Sequence, residues 1–86
     1  MNPTLMRALV EAVVFAGLSN DDVIQRDAAV AQLEQLGSIL KDLPPQERAA
    51  FVKYVQAMAT TEERDHGRTS RIEFLFSIPE SLGLTD

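Results

Sequence analysis

The 86-residue chain has no cysteine and no tryptophan, a single histidine, and only four glycines and four prolines. Without cysteine it can form no disulfide, present no thiolate nucleophile and build no thiolate zinc site. The four glycines compose neither a phosphate-cradling loop nor a dinucleotide fingerprint. No Gly-x-Ser-x-Gly elbow occurs, and His66 lies in a polar segment with no evident nucleophile for it to activate. A long hydrophobic run is also missing. The most apolar stretch, residues 5–18, is interrupted by Arg7 and Glu11 and is not preceded by a basic segment. It falls short of the roughly 20 residues needed to cross a bilayer, so it reads as a buried helix rather than a targeting segment.

What is present describes one small folded domain spanning residues 1–86. Hydrophobic residues make up 45% of the chain and charged residues 24%, a balance that favours folding over disorder. Thirteen acidic side chains against eight basic ones leave a net charge of -5. The basic residues are scattered rather than clustered, which argues against nucleic-acid binding. An acidic surface suits a basic protein partner, or serves solubility alone. With no staple available, stability must come from packing, either within one chain or completed by a second copy. The expected setting is cytoplasmic, with no membrane association and no cofactor.

Helical periodicity runs along most of the chain and predicts an all-α fold. The expected architecture is a small antiparallel bundle of three main helices plus a short C-terminal fourth. The first helix is read from Pro3 to Ala16, capped by Asn2 and stopped by Gly17 in a left-handed conformation. Its apolar set (Leu5, Met6, Leu9, Val10, Val13, Val14, Phe15) wraps more than one core-facing stripe requires. Either the helix lies deep in the core or its extra face meets another molecule. The polar connector Ser19–Asp27 follows, where Val23 and Ile24 could tuck underneath. Asp27 reads as the cap of a second helix, Ala28 to Asp42; the alternative is a longer helix capped by Ser19, with Asp22 completing a capping box. Ala29, Leu33, Leu36, Leu40 and Leu43 form its seam, and Gly37 in mid-helix signals a close crossing or simple tolerance.

Pro44 and Pro45 end that helix and open a third, from Gln46 to Thr61 or as far as Asp65, with Phe51, Val52, Val55, Met58 and Ala59 on its apolar face. Gly67 closes it. Ser70-Arg71-Ile72-Glu73 matches a capping box for a short fourth helix, which Pro79 is expected to end.

Three constellations are candidates for function. Glu62 and His66 stand one turn apart on a continuous helix and could both reach a divalent metal, although exposed charges gathered at a helix end are the stronger explanation. Asp21, Asp22 and Asp27 lack the spacing of a calcium loop and read as a solvated connector or as an acidic patch facing a partner. Phe74 and Phe76, two apart on a helix, cannot both face one core, and Tyr54 falls off the main stripe of the third helix. Exposed aromatics of this kind mark association sites. The partner-binding residues expected from sequence are therefore Asp21, Asp22, Asp27, Tyr54 and Phe74.

The segments Asp21-Asp22-Val23-Ile24, Asp27-Ala28-Ala29-Val30 and Leu33-Glu34, with Leu43-Pro44-Pro45-Gln46-Glu47-Arg48 and Ile78-Pro79-Glu80-Ser81-Leu82-Gly83-Leu84, resemble short all-helical bacterial proteins without an established activity. In general style the chain is similar to small acidic immunity and antitoxin proteins. That resemblance implies a non-catalytic module that binds and inhibits a basic protein, and it transfers no residue role. The other readings are a structural homodimer and a small metal- or ligand-binding bundle.

Overall fold

Asn2 sets the start of the first helix: its side-chain oxygen accepts hydrogen bonds from the N–H groups of Thr4 (2.7 Å) and Leu5 (3.3 Å). The computed structural model describes residues 2–85 and places four helices among them: α1 (Pro3–Leu18), α2 (Arg26–Leu40), α3 (Pro45–His66) and α4 (Ser70–Ser81). No strand occurs among the described residues, so the chain is all-α as expected.

Several boundaries differ from the sequence reading, each for a local reason. Helix α1 continues through Gly17 to Leu18 and closes at Ser19 in an extended conformation. Gly17 is not a left-handed stop; it is a helical position where a Cβ would collide with the ring of Phe74. Asp27 does not cap α2. Gln25 occupies the cap without a side-chain bond, and Asp27 sits in the first turn, where its carboxylate complements the helix dipole. Helix α2 stops at Leu40, short of Asp42, while α3 extends to His66 before Gly67, at φ +74°, ends it.

The cap of α4 is Thr69, one residue earlier than expected. Its hydroxyl accepts from the Ile72 N–H at 3.2 Å, and Ser70 becomes the first helical residue. Pro79 does not end α4 but lies inside it. Termination comes from Gly83 at φ +71°. The Leu84 N–H donates to the Pro79 carbonyl (2.8 Å) and the Gly83 N–H to that of Glu80 (3.0 Å). This pair of bonds is the Schellman arrangement, and it carries Leu84 back into the core beside buried Pro79.

Packing follows from two antiparallel hairpins, α1–α2 and α3–α4. In the first, Ala16 lines the same groove as Ala29, while Val13, further back along α1, lines a small cavity with Leu33, further on along α2. In the second, Leu84 at the far end of the chain returns to the groove beside Pro45 at the start of α3. Helix α1 packs against all three of the others, and α3 against α4 makes the most extensive pairing. The centre holds Val10, Phe51, Val55 and Leu75, each 0% exposed, and among the described residues no polar or charged side chain is buried.

Gly37 resolves the choice left by the sequence in favour of a close crossing. A Cβ there would lie 2.8 Å from the Leu82 carbonyl oxygen, a backbone atom with little freedom to yield. In an open helix, Gly→Ala stabilises by about 1 kcal/mol. Here Gly37→Ala is expected to reverse that sign and cost about 1–3 kcal/mol, the range of overpacking in a filled site. Equilibrium denaturation measures it; a gain in stability would show that α2 does not pack this closely against the end of α4.

Candidate interaction surface

The sequence-selected residues fall into two groups. Asp21, Asp22 and Asp27 are all exposed at the connector end of the α1–α2 hairpin. The Asp22 N–H donates to the side-chain oxygen of Asn20 at 3.1 Å, which shapes the turn and leaves the Asp22 carboxylate outward. Asp21 borders a groove of about 240 Å³ with Ala16, Gly17, Arg26 and Val30. Tyr54 and Phe74 do not join them as exposed anchors. Both are half-buried and pack against the core. Tyr54 borders a separate open groove of about 390 Å³ between α1 and α3, with Arg7, Met58, Thr61 and Glu62. Phe74 spreads over Gly17. Of the aromatic pair on α4, Phe76 is the exposed member at 37%, and the Arg68 guanidinium lies 5.0 Å from its ring centre.

The exposed apolar surface lies mainly elsewhere. Among the described residues, Leu5, Phe15, Leu18, Val23, Val30 and Ile39 are the large exposed hydrophobics besides Phe76, and all six belong to the α1–α2 half. Ile24 is half-buried under the connector, whereas Val23 points out at 61% exposure. At the connector end, Leu18, Val23 and Val30 therefore stand among three carboxylates. Helix α1 carries too many apolar positions for one core face, and that excess was the signal in the sequence for this surface.

Sequence reasoning missed the main polar feature. Arg71, at the start of α4, binds two carboxylates on two other helices. Its Nε and one terminal nitrogen donate to Glu62 of α3 at 2.8 and 3.1 Å. Its terminal nitrogens also donate to Glu11 of α1 at 2.8 and 3.2 Å. A planar guanidinium suits two such forked contacts, and a lysine could not replace it. The signal was the charge of Glu11, with Arg7 one of the two that interrupt the apolar run of residues 5–18. Both oxygens of Glu62 are engaged in this way, and His66 is exposed at the end of α3. Among the described residues, no three histidine, aspartate or glutamate side chains converge as a metal set. No described helix is long and apolar enough to cross a membrane.

Hydrogen bonds from Arg71 hold the Glu11 carboxyl below its ordinary value of 4.5. Partial burial opposes this shift, while the charges of Arg71 and Arg7 add to it. The same contacts hold the Arg71 guanidinium charged more firmly than usual.

Comparison with protein-family models, curated proteins and solved structures returns no significant match.

Because the folded state depresses the Glu11 pKa, the stability Glu11 contributes is complete above about pH 4.5 and is lost as pH falls through the lower folded value. Glu11→Gln should therefore flatten the decline in stability on acidification below pH 4.5. Urea titrations at several pH values read this directly, and parallel curves for the two proteins would contradict it. Arg71→Gln should cost about 1–2 kcal/mol at neutral pH, as expected for two partly exposed forked pairs. A double-mutant cycle with Glu11→Gln should return a coupling of about 0.5–1 kcal/mol.

Proposed function

We propose that this chain is a non-catalytic protein-interaction domain whose α1–α2 connector end receives a partner presenting basic and apolar groups. One observation carries the reading: Leu18, Val23 and Val30 are exposed at 43%, 61% and 45% beside the exposed carboxylates of Asp21, Asp22 and Asp27. Val23 lies in the connector itself, and Leu18 at the end of α1 and Val30 near the start of α2 flank it. An apolar centre with a charged rim is the usual composition of a protein-binding patch.

The carboxylates would act at long range, speeding encounter with a basic surface, and the apolar side chains would supply contact once water is expelled. Arg26 borders the same groove, so the patch is not uniformly negative. The partner's charge pattern should answer that as well. The most concrete version is an inhibitor that covers a basic protein's working surface, in the manner of an immunity protein. A cytoplasmic setting belongs to that version. The packed helices on both sides of the patch support it, since a surface formed before binding carries little ordering cost.

The test is affinity capture from native lysate at low and high salt, with wild type run beside the Asp21→Asn/Asp22→Asn/Asp27→Asn variant and beside Val23→Ser. A single stoichiometric basic protein should be retained by the wild type and released as salt rises. It should be lost or strongly reduced with both variants. The same proteins captured by all three forms would overturn the reading.

A further inference from the structure

The outer face of α1 has a pattern independent of the connector end. Leu5, Ala8, Ala12 and Phe15 follow one another at spacings of three, four and three residues. All four are exposed, with Leu5 at 63% and Phe15 at 56%. Ala8 and Ala12 lie two residues either side of Val10, which is 0% exposed. At about 100° per residue, that offset turns them to the opposite side of the helix. The inner face of α1 fills the core with Met6, Val10, Val13 and Val14, so the outer seam has no role within this chain.

We propose that this outer face of α1 pairs with the same face of a second copy, antiparallel and two-fold symmetric about the level of residue 10. The order of side chains supports a second copy as the occupant. Large, small, small, large is symmetric about position 10 and is therefore its own complement under a two-fold axis. Leu5 then meets Phe15 of the second copy at each end. In the middle Ala8 meets Ala12, and their small side chains allow the helix axes to approach closely.

Charge supports the same arrangement. Arg7 and Glu11, four residues apart, share one flank of α1. At 1.5 Å per residue, Arg7 stands about 4.5 Å to one side of the axis and Glu11 about 1.5 Å to the other. An antiparallel mate therefore brings its Glu11 within about 3 Å of the level of Arg7, and the contact repeats by symmetry. A parallel two-fold mate would instead carry its Arg7 and Glu11 on the opposite side of the interface, where the two flanks do not meet. Arg7 makes no hydrogen bond or close ion pair among the described residues, and its charge acts at longer range on Glu11 of its own helix. Each Glu11 oxygen accepts one bond from Arg71 and keeps a further acceptor site.

A pair of helices of this length buries less than about 1,200 Å² in total, which puts the dimer in the weak, transient class. Sedimentation velocity over a range reaching about 1 mM should show monomer and dimer in rapid exchange. Ala12→Glu changes an exposed position and leaves the fold intact by circular dichroism; it should weaken the dimer at least tenfold.

The cysteine-free background allows a geometric test. Oxidising a mixture of Ala8→Cys and Ala12→Cys proteins should give the mixed disulfide well above its statistical share. A protein that stays monomeric to about 1 mM overturns the proposal and leaves the face to a different partner. Dimerisation unaffected by Ala12→Glu, or disulfides only between like variants, would overturn it as well. The connector-end reading is tested by separate variants and survives or fails independently.

Discussion

Everything in this small bundle depends on surrounding α1. Eighty-odd residues cannot bury a large core, and such a chain removes only about 60–65% of its unfolded surface from water. The solution here is one very apolar helix packed against the other three, with Val10 and Val13 sealed at the centre. Two glycines make the approach close enough. Gly17 accepts the ring of Phe74, and Gly37 lets α2 come against the Leu82 carbonyl. The cost of this design is an outer face of α1 that no described residue covers, and the apolar residues on that face follow from the same composition that makes the helix a good centre.

Helix type and order were legible because they rest on local chemistry: Asn2 before Pro3, paired prolines at residues 44–45, and the leucine seam of α2. Boundaries were less legible where tertiary contacts decide. Gly17 reads as a stop by its intrinsic freedom, yet it is held helical because a ring needs the space. Pro79 reads as a breaker, yet α4 runs through it to Ser81 and closes in a Schellman turn that seats Leu84. Ser70 reads as the cap because Glu73 completes a capping box with it, yet the hydroxyl that receives the Ile72 N–H is that of Thr69.

The surface was legible in quantity and not in location. An overfull α1 and two phenylalanines at spacing two imply that apolar groups must face water. Which ones do so depends on how the hairpins dock. Phe74 goes inward because Gly17 offers a flat place for it, which leaves Phe76 outward under Arg68 and Phe15 outward on α1. The charge of Glu11 within α1 signalled a polar contact, but its partner was not legible for a related reason. The Arg71 contacts join residues nine and sixty positions apart, and no helical period connects them.

That separation also bears on the order in which the bundle assembles. Helices α3 and α4 are joined by a three-residue link and share the most extensive contact, so their pairing closes a short loop and can form early. Helix α1 reaches α4 only across the long span bridged by Arg71 and Glu11. Loop-closure entropy must be overcome before those contacts return any stabilisation. The helix at the centre of the finished structure is then among the last to be enclosed. During synthesis α1 is made before the three helices that enclose it, so part of its apolar surface stays uncovered until α3 and α4 have been translated.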